Sequence, residues 1–328
     1  MDSLIFAFNA VAPIIGMVAI GYLLKRVGLI SDSFSLEANK LVFRVFLPTM
    51  LFYNIYRIDD LSSFSPGFII YAVAMIFVFF TLGALLSFFF TDKKERRGVL
   101  IQAAFRSNYA LIGVPIAEAL FGAVGGAVAA VLSAVIVPIL NVLAVITLSV
   151  FGGSKVRPSA KKIALDILKN PLIFGVTLGF VALGVRAIFV RFGIDFRITD
   201  IQPIEKVLSY LSNLATPIAL LMLGARFEFS AVSSLRREIV FGTLMRTIVA
   251  PLIGLGIAFV FFRDAFKGEH FAVFVAMFTT PVAVSSVPMT QEMKGDLALA
   301  GQLVVWSTLI SGFSIFISVF LLRLLGIF

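Results

Sequence analysis

The chain has 328 residues, of which 60% are hydrophobic and only 14% are charged, and its formal net charge is +9. A soluble domain carries about a quarter charged residues because its surface faces water, so this composition excludes a soluble globule and predicts a lipid-facing surface. The chain has no cysteine and one histidine, which removes most thiol, metal and acid–base centres, and we expect neither enzymatic activity nor a cofactor. The basic residues cluster between apolar runs, which is typical of cytoplasmic loops in membrane proteins, so we expect no nucleic-acid partner.

Ten apolar segments follow one another along the chain, and each is long enough to cross a bilayer core of about 30 Å as a helix. They lie near residues 4–24, 38–56, 67–90, 98–121, 127–151, 170–190, 204–224, 239–262, 270–292 and 297–325. The first is too long for the apolar core of a signal peptide, and Lys25 and Arg26 follow it instead of preceding it. We therefore expect a retained first helix.

A polar stretch at residues 153–169 divides the ten segments into five plus five, which predicts two repeats at 1–152 and 170–328 joined by a cytoplasmic linker. Lys and Arg concentrate in the loops after odd-numbered segments, so both termini are predicted to lie on the extracytoplasmic side of the cell (inner) membrane. An odd number of helices in each half inverts one half relative to the other. The predicted fold is an all-α integral membrane protein with ten transmembrane helices in two inverted five-helix repeats.

A weak internal repeat supports this division. The sequence FRSNYALIGVPIAEALFG, from Phe105 to Gly122, aligns without a gap with FTTPVAVSSVPMTQEMKG, from Phe278 to Gly295. The aligned positions share a Phe, a Val-Pro pair and a Gly. Inverted repeats of this kind are typical of secondary transporters.

Prolines fall at matching positions of the fourth and ninth segments, which are predicted to be broken crossover helices. Pro115 follows Gly113 in the fourth, and Pro281 and Pro288 bracket the centre of the ninth. Proline removes a backbone donor and clashes with the preceding turn, and freed backbone groups at membrane depth must be buried in protein or line a wet cavity. The matched breaks favour a substrate site over plain proline kinks.

Polar side chains beside these breaks are the candidate substrate-binding residues. Asn108 is favoured because its amide can donate to a carboxylate. Arg106 either faces the site or extends its charge to the membrane interface, and Arg246 is a second candidate cation. The other candidates are Tyr109, Thr280, Ser285 and Ser286 beside the breaks, and Asn141 on the fifth segment.

The acidic residues indicate the charge of the substrate. Glu118 is the one acid deep within an apolar segment, and it is either a proton site, since burial raises the pKa of a carboxyl group, or a structural partner of an arginine. The fifth and tenth segments lack the paired carboxylates that a cation exchanger needs beside its crossing helices. An anionic substrate is therefore predicted, with H⁺ or Na⁺ as possible coupling ions.

Six stretches, taken in order and spacing over nearly the whole chain, resemble the auxin efflux carrier family, which includes plant PIN-formed proteins and bacterial malate or malonate permeases. They are Asn39 with LVFRVFLP to Pro48, NYALIGVP (Asn108 to Pro115), Asn170-Pro171, LSNLATPIALLMLGARF (Leu211 to Phe227), MRTIVAP (Met245 to Pro251) and TPVAVSSVP (Thr280 to Pro288). The chain lacks the long central hydrophilic loop of the plant proteins. A bacterial permease for small carboxylates is the closer match.

The resemblance implies a scaffold of helices 1, 2, 6 and 7 that forms a homodimer, and a mobile transport domain of helices 3–5 and 8–10. It places Asn108 at the crossover and implies elevator-type alternating access for organic anions. We therefore expect a secondary active transporter that binds a small carboxylate within the lipid bilayer. The alternatives are a sodium/proton antiporter of similar fold and a carboxylate sensor that does not transport.

Overall fold

The computed structural model describes residues 2–57, 66–152 and 159–328, and this part of the chain is helical apart from short connections. The side chains of residues 2–11 and of residue 160 are outside the description, as are residues 153–158 of the predicted linker.

The first half of the chain forms six α-helices. They are α1 (Asp2–Arg26), α2 (Asp32–Leu41), α3 (Leu47–Tyr56), α4 (Pro66–Phe90), α5 (Lys94–Phe105) and α6 (Val114–Phe151). The hydroxyl of Ser31 caps α2 by accepting from the Phe34 N–H at 3.1 Å. Phe121 and Gly122 depart from helical geometry, and the φ of +63° at Gly122 divides α6 into residues 114–120 and 123–151.

The second half forms a short surface helix and then eight further helices. They are α7 (Ala160–Leu168), α8 (Pro171–Arg191), α9 (Gln202–Ala225), α10 (Ala231–Ser234), α11 (Arg236–Leu244), α12 (Ala250–Phe262), α13 (Gly268–Thr279), α14 (Ser286–Glu292) and α15 (Leu297–Leu324). The side chain of Asn170 caps α8 by accepting from the Leu172 N–H at 2.9 Å. Pro171 then occupies the first turn, where a missing N–H leaves no bond unmade.

Three π-helical turns precede prolines, and each turn ends two residues before its proline. They are Val42–Phe46 before Pro48, Tyr109–Gly113 before Pro115 and Met245–Val249 before Pro251. A proline ring presses on the carbonyl group four residues earlier, and the wider π turn makes room for it. These prolines therefore sit in segments that stay helical.

Several helical stretches are long and apolar enough to cross a membrane. Within the described ranges there are six, namely Pro66–Phe90, Tyr109–Phe151, Pro171–Arg191, Gln202–Ala225, Arg236–Phe262 and Leu297–Leu324. The all-helical architecture and these apolar helices agree with the predicted class of integral membrane protein.

The helices pack in two groups. In the first group, α1 packs against α9, and α3 packs against α8 and α9. In the second, α5 and α13 pack against α6, while α4 packs on α5, α12 on α13 and α11 on α15. The groups meet where α1 contacts α15, where α6 contacts α8, and where α14 contacts α2 and α9.

The backbones of α1 and α9 touch through two glycines. A Cβ atom at Gly224 would overlap the carbonyl oxygen of Val18, and one at Gly21 would overlap that of Leu221. Small residues allow such close helix contacts, which stabilise helix pairs in lipid through van der Waals packing.

Arg96 ties together three helices of the second group at one end. Its Nη1 donates to Glu238 at 2.7 Å, and its Nε donates to Asp296 at 3.0 Å. Asp296 also caps α15 by accepting from the Leu299 N–H at 3.0 Å. These bonds fix α5, α11 and α15 relative to one another.

Candidate functional site

The fourth predicted segment is broken at residues 106–108, between α5 and the π turn that begins at Tyr109. The sequence placed this break at Gly113 and Pro115, several residues later. The π turn absorbs Pro115 without interrupting the helix. Gly113 instead allows close packing, since a Cβ atom there would lie 3.1 Å from the carbonyl oxygen of Ala276 in α13.

The ninth predicted segment is broken at residues 280–285, between α13 and α14. Pro281 lies in this break, where it was expected. Pro288 does not break the helix, because it occupies the first turn of α14, where the N–H of a residue has no helical partner.

The two breaks meet and satisfy each other's backbone groups. The N–H of Asn108 donates to the carbonyl oxygen of Pro281 at 2.8 Å, and the N–H of Ala283 donates to that of Arg106 at 3.1 Å. These bonds form an isolated antiparallel bridge. The two helix breaks leave backbone N–H and C=O groups without helical partners inside the protein, and these bonds pair them with each other.

A buried hydroxyl reinforces this crossing. Val282, which pairs with Ser107 in the bridge, donates its N–H to the Oγ of Ser307 on α15 at 3.0 Å. The broken segments are therefore fastened to each other and to the last helix.

Arg106 lies at the crossing with only 3% of its surface exposed, so its charge does not extend to the membrane interface. Its Nη2 donates to Asn141 Oδ1 at 2.7 Å and to Ser285 Oγ at 3.1 Å. Its Nη1 donates to Gln102 Oε1 at 3.1 Å and to Met289 Sδ at 3.0 Å. All four partners are neutral, and none of the ion pairs among the described residues includes this arginine.

The sequence named Asn141 and Ser285 as candidates for the same site as Arg106 but missed Gln102 and Met289. Gln102 precedes Arg106 by four residues on a helical segment, a spacing that brings two side chains together and was available in the sequence. Met289 comes from the other broken segment, so only the fold brings it to the arginine.

A small cavity of about 50 Å³ lies against this cluster, and we call it the Arg106 cavity. Its polar wall consists of Arg106, Ser107, Asn108, Asn141 and Ser285. The remaining wall is mostly apolar and includes residues of α3 and α8, so both helix groups line it. The amide of Asn108 has no side-chain hydrogen bond within the described part of the chain, and it is free to bind a ligand.

A larger cavity of about 660 Å³ adjoins the Arg106 cavity, and the two share Leu51, Ala110 and Val137 as lining residues. We call it the Glu118 cavity. Its charged lining residues are Arg57 and Glu118. Glu118 is exposed, so the burial that the sequence suggested for this carboxyl group is not found.

A third cavity, of about 800 Å³, lies on the other side of the Arg106 cavity, and we call it the lysine cavity. It reaches Phe43, one helical turn before Leu47 of the Arg106 cavity, and Pro171, next to Leu172. Its charged lining residues are Arg44, Lys162, Asp166, Lys169, Glu292 and Lys294.

Polar contacts join the two helix groups beside the lysine cavity. Arg44 Nη2 lies 3.1 Å from Glu292 Oε2, and Asn39 Nδ2 donates to Gln291 Oε1 at 3.1 Å. Arg226 Nη1 also donates to Gln291 Oε1, at 3.2 Å. We call these three interactions the α14 contacts, because each holds α14 to the first helix group.

Arg246 does not reach the Arg106 cavity. It is 1% exposed, and it donates to the carbonyl oxygens of Thr280, at 2.8 Å from Nε, and of Met277. A cation at the carboxyl end of a helix satisfies its unpaired carbonyl groups and its dipole. The structure therefore places Arg246 as the cap of α13.

Three other candidates also lie outside the lining of the Arg106 cavity. The hydroxyl of Tyr109 donates to the carbonyl oxygen of Ala129 at 3.0 Å. The hydroxyls of Thr280 and Ser286 are buried and have no hydrogen-bond partner among the described residues. None of the three lines the Arg106 cavity as the structure defines it.

Two broken segments that cross beside a buried polar cavity, in an all-helical membrane chain, define the class of membrane transporters. A family described as "Membrane transport protein" matches residues 6–319. The chain belongs to this family of multi-pass membrane transporters, the family of the auxin efflux carriers, and the predicted membership is confirmed. The family is one of transporters and not of enzymes.

Two archaeal relatives are similar to the chain over most of its length. An uncharacterized transporter of Methanothermobacter thermautotrophicus is 27% identical over 313 residues, which cover 92% of this chain and 94% of the relative. An uncharacterized transporter of Methanocaldococcus jannaschii is 25% identical over 249 residues, which cover 74% and 76% respectively.

Proposed function

We propose that this protein is a secondary active transporter that moves small carboxylates across the cell membrane by alternating access. The observation that carries the proposal is the buried guanidinium group of Arg106, whose partners at the crossing are all neutral. A buried cation without a counter-charge is costly in a membrane protein and usually marks a ligand pathway. An anionic substrate offsets that cost when it binds.

The polar wall of the Arg106 cavity is suited to a carboxylate. Asn141 and Ser285 accept hydrogen bonds from Arg106 and hold its guanidinium group in place. The free amide of Asn108 supplies a second donor, and the helix that resumes at Tyr109 begins beside it with its positive dipole end. A carboxylate bound here takes its charge compensation from Arg106 and its orientation from Asn108.

The cavities support alternating access to this site. The Glu118 cavity adjoins the Arg106 cavity on one side, while the α14 contacts join the two helix groups on the other. We propose that these contacts break when the substrate is carried toward the lysine cavity. This motion corresponds to an elevator-type displacement of the second helix group against the first.

The two helix groups support the proposed division into scaffold and transport domain. In the proposed ten-helix inverted-repeat arrangement, helix 1 is α1, helix 2 is α2 together with α3, helix 6 is α8 and helix 7 is α9. The remaining long helices form the transport domain. The exposed apolar side chains of α8, including Phe174, Val181 and Val185, are available to lipid or to a second copy of the chain. We propose that the scaffold forms the homodimer through such surfaces.

The loop charges and Glu118 lead to two finer proposals. The concentration of Lys and Arg after odd-numbered helices supports extracytoplasmic termini, with the lysine cavity facing the cytoplasm. Glu118 is the acidic side chain that lines the cavity adjoining the substrate site. It is therefore our proposed proton site, and sodium is the alternative coupling ion.

A thermal-shift and uptake experiment tests the proposal. The purified protein is heated with aliphatic and aromatic carboxylates and with their neutral amides, at several pH values and with or without sodium. We expect stabilisation by carboxylates but not by amides. Stabilisation by sodium or lithium alone would favour the cation antiporter.

The Asn108→Ala variant tests the site itself. A hydrogen bond to a charged group contributes about 1.5–3 kcal/mol, so we expect about tenfold weaker carboxylate binding or more, and loss of uptake into proteoliposomes with normal membrane insertion. Asn213→Ala, at an exposed position of α9, is the matched control. Unchanged uptake by Asn108→Ala would remove this residue from the site.

A further inference from the structure

We infer that the lysine cavity is a second anion site, which collects the carboxylate substrate at the membrane surface before it reaches the Arg106 cavity. This inference rests on the proposed transport of carboxylates and names the route by which the anion arrives. Its basis is the charge that surrounds a cavity large enough for a small organic anion.

The lysine cavity carries more positive charge than negative charge. Its lining includes Arg44, Lys162, Lys169 and Lys294 but only two acids, Asp166 and Glu292. By contrast, one basic and one acidic side chain line the Glu118 cavity. The two large cavities therefore differ in electrostatic potential, and only the lysine cavity attracts anions.

Both acids in the lysine cavity are already engaged, whereas its lysines are not. Glu292 pairs with Arg44, and Asp166 accepts from the Ser149 hydroxyl at 3.1 Å. Lys162, Lys169 and Lys294 are exposed and form no ion pair within the ranges that the structure describes. Their charges are available to a ligand.

Three separate parts of the fold bring these lysines together. Lys162 lies on α7, Lys169 lies just before α8, and Lys294 follows α14 of the second helix group. Lys294 is in the left-handed region with φ of +59°, where most side chains other than glycine are disfavoured. Because these lysines come from both helix groups, the cavity spans the boundary between the groups, as an anion route that opens there must do.

The position of the lysine cavity gives the collected anion a path. Phe43 and Leu148 line it, and Leu47 and Leu140 on the same helical segments line the Arg106 cavity. Clefts lined by one sign of charge raise the local concentration and arrival rate of oppositely charged solutes. The three cavities lie in sequence along these helices, with the arginine between the two large ones.

The chain has no cysteine, so a single introduced thiol reports the local potential without any need for transport. Ser149→Cys places the thiol in the lysine cavity, where its S–H replaces the serine hydroxyl as a weaker donor to Asp166, and Ser133→Cys places a matched thiol in the Glu118 cavity. Each protein is reconstituted in phosphatidylcholine nanodiscs. Its rates of modification by an anionic and a cationic methanethiosulfonate reagent are then compared.

We expect the anionic-to-cationic rate ratio to be roughly tenfold higher at Ser149→Cys than at Ser133→Cys at low salt. The triple change Lys162→Gln, Lys169→Gln and Lys294→Asn should bring the two ratios together, as should about 1 M salt, where the screening length falls to about 3 Å. Equal ratios at the two thiols, or a ratio that the triple change leaves unaltered, would overturn the inference.

Succinate and acetate are the probes for occupancy. We expect either anion to slow modification of Ser149→Cys, and to lose this effect in the triple variant. If succinate and acetate have no effect and modification of Ser149→Cys slows only when phosphatidylglycerol is added to the nanodiscs, the lysines bind a lipid phosphate. That result would overturn the substrate route. Because these rates require no transport, the inference can fail while the uptake test with Asn108→Ala still succeeds, and the reverse.

Discussion

The guanidinium group of Arg246 donates from Nε to the carbonyl oxygen of Thr280 at 2.8 Å, at the point where α13 ends. Arg106 is buried nearby at the same crossing, but its partners are side chains and it lines a cavity. Two buried arginines thus lie at one crossing in different surroundings. Arg246 donates to the carbonyl groups at the end of α13, whereas the guanidinium group of Arg106 lines a cavity in which an anion can bind.

Arg246→Gln should destabilise the fold, because it leaves the carbonyl end of α13 without its charged donor. Loss of a hydrogen bond to a charged group costs about 1.5–3 kcal/mol, so the melting temperature in detergent should fall by several degrees. The control is Arg263→Gln, since Arg263 also donates to a carbonyl oxygen, that of Leu325 at 3.2 Å, but is exposed. If both variants melt alike, Arg246 is not a structural cap.

Arg106→Gln should reduce carboxylate uptake at least about tenfold, as expected when a charged partner of the ligand is lost. The melting temperature without ligand should fall by no more than that of Arg246→Gln, because the lost hydrogen bonds are offset by the removed cost of a buried charge. Arg106→Lys keeps the charge but loses the planar set of donors, so we expect an intermediate rate.

The measurement for these variants is uptake into proteoliposomes together with carboxylate-dependent thermal stabilisation. Arg191→Gln, at an exposed position at the end of α8, serves as control. Wild-type uptake and stabilisation by Arg106→Gln would exclude the arginine from the substrate site.

Cross-linking Asn39 to Gln291 should stop transport, because it fixes α14 to the first helix group. Asn39→Cys with Gln291→Cys can be joined by a short bifunctional thiol reagent, since the two native side chains lie within 3.1 Å. We expect uptake to be lost on cross-linking and regained on reduction.

The matched pair for this experiment lies within one helix group. Tyr53 donates to Glu205 at 2.7 Å between α3 and α9, so Tyr53→Cys with Glu205→Cys should still transport after cross-linking. Full activity of the cross-linked Asn39–Gln291 pair would contradict the proposed movement of α14.

Gly224→Ala should loosen the packing of α1 on α9, because the added methyl group overlaps the backbone of Val18. Overpacking costs about 1–3 kcal/mol, and a lower melting temperature in detergent is the expected result. Gly184→Ala on α8 is the control, since nothing lies within 4 Å of the added carbon. Equal melting temperatures would show that α1 and α9 separate without cost.

The sequence alone was sufficient for much of the helical framework. Apolar length marked the six helical stretches of the described residues that are long enough to cross a membrane, and Asn170-Pro171 opens α8, because both signals are local in the chain. The position of the fourth break was not predictable in the same way. The sequence pointed to Pro115, but a π turn accommodates that proline, and the break lies where the backbone of Asn108 pairs with Pro281.

Composition and motif order by themselves determined that this is an all-helical membrane transporter, because neither depends on how the helices pack. Only the tertiary structure decided which buried arginine faces a cavity and which one caps a helix. Arg106 and Arg246 are alike in the sequence, and their different surroundings arise from residues far away in the chain. The role of a buried charge depends on the atoms packed around it. Those around Arg246 come from the ninth segment, and those around Arg106 come from both broken segments and from the fifth.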